Sequence, residues 1–325
     1  MHERAEHVDD PGVAHTPRPR VLIAEALDRE CVAWLAERAT IDQIAPGGGG
    51  FDEALRRAEA MIVRTYVRVD RAMLERGPRL RVVGRAGVGL DNIDVEVCAA
   101  RGVRVVHTPG ANTRAVVEFV LGEVLDAFRP RAAVDRALAP SEWAAARAAA
   151  IAPREIGELT LGILGLGRIG SAVARAAGGF GMRLLYHDLR EITPDERNGA
   201  VPVAIEELLR EADVLSIHVD GRASNRGLVA ASMLGHLKPS ALLINTSRGL
   251  VVDAPALAAW LRSNAAAGGR AVLDVHEPEP FGTDYPLLGL ANVRLTPHIA
   301  SATASAKRAM SWVVREVWEA LAEAC

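Results

Sequence analysis

The sequence is poor in the features that mark several protein classes. Its 325 residues include three cysteines, Cys31, Cys98 and Cys325, which are far apart, odd in number and form no CxxC pair. That excludes a disulfide framework and a zinc finger, and it fits a reducing cytoplasm. No apolar run approaches the roughly 18 residues that a membrane helix needs. The first twenty residues lack the apolar centre of a signal peptide and read as a flexible tail over 1–18. Neither sign of charge dominates: 38 basic residues face 41 acidic ones, for a net charge of −3. A general nucleic-acid binder is therefore not expected, nor a membrane partner. Lysine is nearly missing, with only Lys238 and Lys307; beside so much alanine and glycine, this reads as the codon bias of a GC-rich genome.

What is present is core-forming material. Half of the chain is hydrophobic and 24% is charged, which excludes a disordered protein, and the length suggests about two domains. Short apolar runs at Val21–Ala24, Met61–Val63, Arg81–Gly84 and Val103–His107 alternate with helical patterns such as Asp28–Ala39. After the breaker Thr108-Pro109-Gly110, Asn112–Ala127 reads as a long helix. Residues 131–151 are alanine-rich and read as one or two surface helices. The alternation then resumes with strand-like runs at Thr160–Leu164, Arg183–His187, Val214–Ile217, Ala241–Asn245, Ala271–Asp274 and Val293–Leu295. Such alternation implies α/β architecture with parallel sheets covered on both faces. Ala302–Ala324 carries Met310, Val313, Val314, Val317, Trp318 and Leu321 at helical spacing and reads as one terminal helix with an apolar face.

The strongest local motif is LTLGILGLGRIG, Leu159–Gly170. Gly165-x-Gly167-x-x-Gly170 follows a strand and opens a helix, the context a dinucleotide site requires. Gly165 permits the tight turn, Gly167 lets the backbone approach a pyrophosphate, and Gly170 lets helix and strand pack closely. The helix start then offers N–H groups and partial positive charge to phosphates. The next strand ends in Asp188, 18 residues after Gly170 (188 − 170), where an acid suits a ribose hydroxyl and repels a 2′-phosphate. NAD is therefore expected over NADP, with Arg190 as a counter-indication.

Five blocks occur in one order: GRAGVGLDNID (Gly84–Asp94), NTRAVVEF (Asn112–Phe119), GILGLGRIG (Gly162–Gly170), INTSRGLVVD (Ile244–Asp253), and LDVHEPEP with LTPHIASAT (Leu273–Pro280 and Leu295–Thr303). In these blocks the chain resembles the D-isomer-specific 2-hydroxyacid dehydrogenases, above all their phosphoglycerate dehydrogenase branch, from about Val21 onward. The resemblance implies two doubly wound parallel-sheet domains with a cleft between them. A Rossmann cofactor domain (109–297) is inserted into a flavodoxin-like substrate domain (19–108 and 298–325). It also implies a homodimer.

On the same resemblance, Arg248 anchors the substrate carboxylate, which suits a bidentate guanidinium. His298 is the general acid/base, a role imidazole can fill near neutral pH. Glu279 is its acidic partner, preferred over Glu277 because the family's acid lies five residues after the aspartate that here is Asp274. Cofactor contacts fall on Thr113, Gly165, Gly167, Arg168, Ile169, Gly170, Asp188, Val219, Thr246, Ser247, Asp274 and Ala300, with Asp274 expected to hold the nicotinamide carboxamide. The amides of Val88 and Gly89, with Arg64, line the substrate side, where backbone N–H groups can hold an anion. No metal is expected. Three departures stand out: Asp220 replaces a usual proline, His276 a usual phenylalanine, and Ala300 a usual glycine. The implied activity is NAD-dependent interconversion of a D-2-hydroxy acid and its 2-keto acid, 3-phosphoglycerate dehydrogenase-like. A glyoxylate/hydroxypyruvate reductase and an NAD(H)-sensing corepressor-like protein with little turnover are the alternatives. Arg64 and Arg68 are candidates for binding a substrate phosphate.

Overall fold

A computed structural model describes residues 18–129, 131 and 133–323. The tail expected over 1–18 falls almost wholly outside the described residues, as does Cys325. The chain divides into two units; the described part of the first spans 18–86, 92–107 and 311–323, and the second 87–91 and 108–310.

The first unit runs β1 (Arg20–Ile23), α1 (Arg29–Ala36), β2 (Thr40–Gln43), α2 (Phe51–Arg57), β3 (Ala60–Val63), α3 (Arg71–Arg76), β4 (Val82–Arg85), α4 (Val95–Ala100) and β5 (Arg104–His107). Its strands are parallel, in the order β2-β1-β3-β4-β5. The central strands are short and buried, as parallel strands with both faces covered must be. β2 (TIDQ) is a polar edge strand without an apolar run, which is why the sequence did not announce it. Aspartates start the helices: the Asp70 and Asp94 carboxylates accept the Met73 and Val97 amides, both at 3.0 Å.

The second unit holds α5 (Thr113–Phe128), α6 (Pro140–Ala149), β6 (Thr160–Leu164), α7 (Arg168–Gly178), β7 (Arg183–His187), β8 (Val201–Pro202), α8 (Ile205–Glu211), β9 (Val214–Ile217), α9 (Ala231–Leu234), β10 (Leu242–Asn245), α10 (Ala254–Asn264), β11 (Arg270–Leu273), β12 (Val293–Leu295) and all but the last residue of α11 (Ala304–Ser311). Its seven strands are parallel in the order β12-β11-β10-β9-β6-β7-β8. Successive residues of β6 serve opposite faces, as the pleat dictates. Leu161 and Ile163 join one buried cluster with Val120, Val124 and Val173, while Leu164 joins the other with Leu208, Leu257 and Leu261. The strand order reverses between β6 and β9, so the loops leaving these neighbours diverge beyond their C-terminal ends. In open α/β sheets that crevice is where nucleotides bind.

Two expectations need correction. Residues 302–324 do not form one helix: α11 ends at Ser311 and α12 (Val313–Glu323) begins beyond Trp312. The apolar stripe serves two cores. Ala306 and Met310 pack with Ala115 of α5, whereas Val313, Val314, Val317 and Leu321 pack with β1 and β3 residues of the first unit. For the same reason the chain re-enters the first unit at Ser311, not at 298. Among the described residues of 131–151 there is one helix, α6, which buries none of its residues. Among the described residues no helix is long and apolar enough to cross a membrane.

Candidate active site

The glycine-rich turn lies at the reversal point of the second unit. Gly165 has φ +92°, and a Cβ there would stand 3.0 Å from the backbone of His218 and Val219, the residues that follow β9. A Cβ at Gly170 would meet the Gly165 carbonyl at 2.2 Å. Around Gly167, which caps the eleven-residue α7, nothing lies within 4 Å. Two of the glycines are thus demanded by packing and the third leaves open space at a helix N-terminus, which fits a pyrophosphate. Beside the turn, Asp188 accepts the Leu166 amide on Oδ2 and the Arg190 amide on Oδ1, both at 2.8 Å, and the Arg190 guanidinium folds over it. Burial pushes the Asp188 carboxyl up, but the Arg190 and Leu166 bonds and the Arg190 charge outweigh it and hold it below the usual range. The group is an anion at neutral pH.

The other expected cofactor positions lie in the same unit. Arg168 donates to the Pro109 carbonyl, and Ile169 packs on the α5–α7 core. Among the described residues the buried Thr113 and Thr246 hydroxyls have no hydrogen-bond partner, which suits residues that face a polar ligand. Ser247 is occupied instead: its amide and hydroxyl both donate to Asn245 Oδ1, at 3.0 and 2.7 Å. After β9 comes Val219, then Asp220, which takes the proline's place by closing the loop through Arg222 (Nε to Oδ1, 2.7 Å) and Asn225 (Nδ2 to Oδ1, 3.1 Å).

His298 and Glu279, the expected acid/base pair, stand together. Nδ1 of His298 lies 2.8 Å from Glu279 Oε2, and Oε1 of the same carboxylate accepts the His276 amide at 2.7 Å. Burial raises the Glu279 carboxyl, yet the His298 bond, the His276 amide and the charges of both rings bring it below the ordinary range. Glu277 turns away to Arg226, at 3.6 Å. His298 itself has φ +56°, a left-handed backbone that costs a side-chain-bearing residue about 1 kcal/mol. Asp274 holds it there. Its carboxylate, 1% exposed, accepts Thr296 Oγ1 at 2.6 Å and the amides of Ile299 and Ala300 at 2.7 Å each. The clamp therefore grips the chain on both sides of His298, and a nicotinamide carboxamide could use only the acceptor capacity that remains. His276 is buried between Phe281 and Tyr285, with Nε2 2.9 Å from the Thr296 carbonyl. The ring replaces phenylalanine while tying the Glu279 and His298 segments together.

Arg248 connects to this pair through its neighbour. A Cβ on Gly249 would stand 2.0 Å from the carbonyl carbon and oxygen of His276, so the backbone after Arg248 lies directly on the segment that holds Glu279. The guanidinium is not free: Nε and Nη2 both reach Asp91 Oδ2 at 2.7 Å, and Nη1 donates to the Ser247 carbonyl at 2.6 Å. Gly89 packs against Nη2, and Gly87 accepts the Thr108 amide at 3.1 Å, which places the Val88–Gly89 amides in the second unit. Asp91 escaped the sequence reading, although it sits within the GRAGVGLDNID block. Arg64 belongs to the first unit, where its amide donates to Glu25 and its Nη1 to the Ala26 carbonyl at 3.2 Å. Arg68 is an exposed charge 3.7 Å from Asp70.

Comparison with known proteins gives a consistent picture. Residues 121–300 match the sequence profile described as D-isomer specific 2-hydroxyacid dehydrogenase, NAD binding domain. A glyoxylate reductase of Aeropyrum pernix is 37% identical over 318 residues, spanning 94% of this chain and 93% of that protein. A D-3-phosphoglycerate dehydrogenase of Mycobacterium tuberculosis is 36% identical over 311 residues, 94% of this chain but 57% of its own length. Among solved structures, a D-lactate dehydrogenase from Aquifex aeolicus, complexed with NAD and lactic acid, superposes with a TM-score of 0.76 at 27% identity, covering 94% of this chain and 96% of that one.

Proposed function

We propose, from the premise that this chain belongs to the D-isomer specific 2-hydroxyacid dehydrogenase family and is an NAD-dependent oxidoreductase, that it reduces a short 2-keto acid of the glyoxylate type to the D-2-hydroxy acid. The observation that carries the chemistry is the 2.8 Å pair of His298 and Glu279, joined through His276 and Gly249 to Arg248. Two facts favour a short acid over a phosphorylated one. Relatives named glyoxylate reductase reach 37% identity, and the arginines considered for a phosphate have partners, Arg64 a carbonyl and Arg68 the Asp70 carboxylate at 3.7 Å.

In this reading Arg248 grips the substrate carboxylate through paired N–H donors, and the amides of Val88 and Gly89 line the substrate side. His298 delivers a proton from Nε2 to the C2 oxygen during reduction and takes it back during oxidation. Glu279 holds Nδ1, which aims Nε2 at the substrate and stabilises the ring while it is charged. Asp274 fixes the backbone of His298 and has acceptor capacity left for a carboxamide. Asp188 would accept from ribose hydroxyls; the Gly165 and Leu166 amides are taken by the His187 carbonyl and Asp188, so the amides of Arg168 and Ile169 at the start of α7, left open by Gly167, would hold the pyrophosphate, and Thr113, Val219, Thr246, Ser247 and Ala300 would wall the rest. NAD, when bound, supplies or accepts the hydride. A homodimer is our expectation for the assembly.

The test is a panel of keto acids with each reduced dinucleotide, following loss of the reduced-nicotinamide absorbance. Glyoxylate and hydroxypyruvate should be turned over faster than 3-phosphohydroxypyruvate, with NADH preferred to NADPH. Turnover of only the phosphorylated acid would replace the substrate reading, and tight NADH binding with no turnover would replace the enzymatic one by a sensor.

A further inference from the structure

We propose that Asp91 is a positioning and specificity residue: its carboxylate locks the Arg248 guanidinium so that one substrate carboxylate is taken end-on, and its charge tunes the site to monoanions. The proposal rests on the reading of Arg248 as the substrate anchor and goes beyond it by saying how the anchor discriminates.

The donors of Arg248 can be counted. A guanidinium carries five N–H groups in a rigid plane. The Nε hydrogen and one Nη2 hydrogen share an edge, and that edge is taken by Asp91 Oδ2, with both contacts at 2.7 Å. One Nη1 hydrogen goes to the Ser247 carbonyl at 2.6 Å. What remains is one hydrogen on Nη1 and one on Nη2; when the Ser247 carbonyl takes the Nη1 hydrogen on the Cδ side, these two lie parallel on the far edge. That pair matches the two oxygens of a single carboxylate. The plane is also walled in. A Cβ on Gly89 would stand 1.7 Å from Nη2 and 2.5 Å from Asp91 Oδ2; one on Gly221 would stand 2.2 Å from Asp91 Oδ1 and 3.0 Å from Arg248 Cγ. Two residues without side chains thus let the ion pair form and leave no room for it to swing aside.

The charge balance follows. Arg248 and Asp91 together are neutral, so this pair offers no net positive charge to a bound carboxylate and none to a second negative group on the same molecule. On the loop after β9, where Gly221 stands beside Asp91, Asp220 is paired with Arg222, so Arg222 is not free to meet a second negative group. A second negative group on the substrate is therefore penalised by Asp91 itself. Asparagine at this position would keep an oxygen for Nε and Nη2 but remove the charge, while alanine would remove both.

The experiment uses the full chain saturated with NADH and measures binding of oxamate, a monoanion, and oxalate, a dianion, by quenching of dinucleotide fluorescence. Glyoxylate kinetics are measured alongside. In Asp91→Asn the oxalate-to-oxamate affinity ratio should rise roughly tenfold, the effect of one charge a few ångström away in a partly exposed site. In Asp91→Ala, kcat/KM for glyoxylate should fall by roughly 10², with Asp91→Asn recovering most of the loss, because misalignment of a bidentate clamp costs about that much. An unchanged ratio in Asp91→Asn, or equal kinetics in the two variants, would overturn the role of Asp91 while leaving the anchor in place. Failure of wild-type protein to bind either acid and to turn over any keto acid would overturn the anchor and the proposal together.

Discussion

Replacing Glu279 by glutamine is the perturbation for which the structure gives the clearest magnitude. The carboxylate accepts two bonds, from His298 Nδ1 at 2.8 Å and from the His276 amide at 2.7 Å. Glutamine offers one acceptor and one donor, so one of these two N–H partners must face an NH₂. The protein will keep the His276 amide bonded, since that amide is fixed in backbone, and the mismatch then falls on His298. A hydrogen bond to an ionised partner is worth about 1.5–3 kcal/mol. Loss of that amount from the charged ring lowers kcat for reduction roughly 10–100-fold. The pH profile gives a second reading. The bonds from His298 and the His276 amide hold the Glu279 carboxyl below the usual range despite its burial, so the wild-type protein should keep its kcat/KM until the pH drops below that range, and Glu279→Gln, which has no acid there, should lose this acid-side fall-off. The assay is steady-state NADH oxidation with glyoxylate across pH, with NADH affinity measured separately by fluorescence. An unchanged profile with an unchanged kcat would refute the pairing as a functional one.

Other outcomes follow from contacts already described. Gly249→Ala puts a methyl group 2.0 Å from the His276 carbonyl, so backbone must shift and kcat should fall by at least roughly tenfold with dinucleotide affinity nearly intact; wild-type kinetics in this variant would contradict the link between Arg248 and Glu279. Asp188→Ala should weaken NADH by roughly 1–2 kcal/mol and narrow the preference over NADPH, with Arg190 released to meet a 2′-phosphate; an unchanged cofactor ratio would place the ribose elsewhere. Burial pushes the His218 imidazole down to about 4. The unfolded chain takes up a proton near pH 6.5 that the folded protein refuses until about 4, so stability falls as pH drops through that window. His218→Gln should lose about 2 kcal/mol of that dependence, less than the full shift because His218 is only partly buried; parallel Tm–pH curves for the two proteins would contradict it.

The parts of the molecule that were legible in the sequence are those whose signal is local. β6 and the glycine turn announce themselves because a buried strand, three glycines and a helix are consecutive. Glu279 and His298 stand in proline-bounded segments whose order is distinctive. Other features depend on segments far apart in sequence. Asp91 meets Arg248 across 157 positions, and nothing in LDNID says which cation its carboxylate will find. Gly249 looks like any glycine after an arginine until the His276 backbone is seen lying on it. The stripe over 302–324 has an unbroken helical period, yet its two halves bury against different cores, and tertiary packing breaks the helix at Trp312. Asp274 shows the same limit: the sequence marks it as a conspicuous acid, while its grip on Thr296, Ile299 and Ala300 is visible only in three dimensions.

The most direct measurement is a single turnover of NADH with excess glyoxylate, comparing the wild-type protein with His298→Ala at saturating dinucleotide. Reduction by the variant should be slower by roughly 10²–10⁴, with NADH bound as tightly as before, the scale expected when a positioned proton donor is lost. Equal rates in the two proteins would contradict proton delivery by His298.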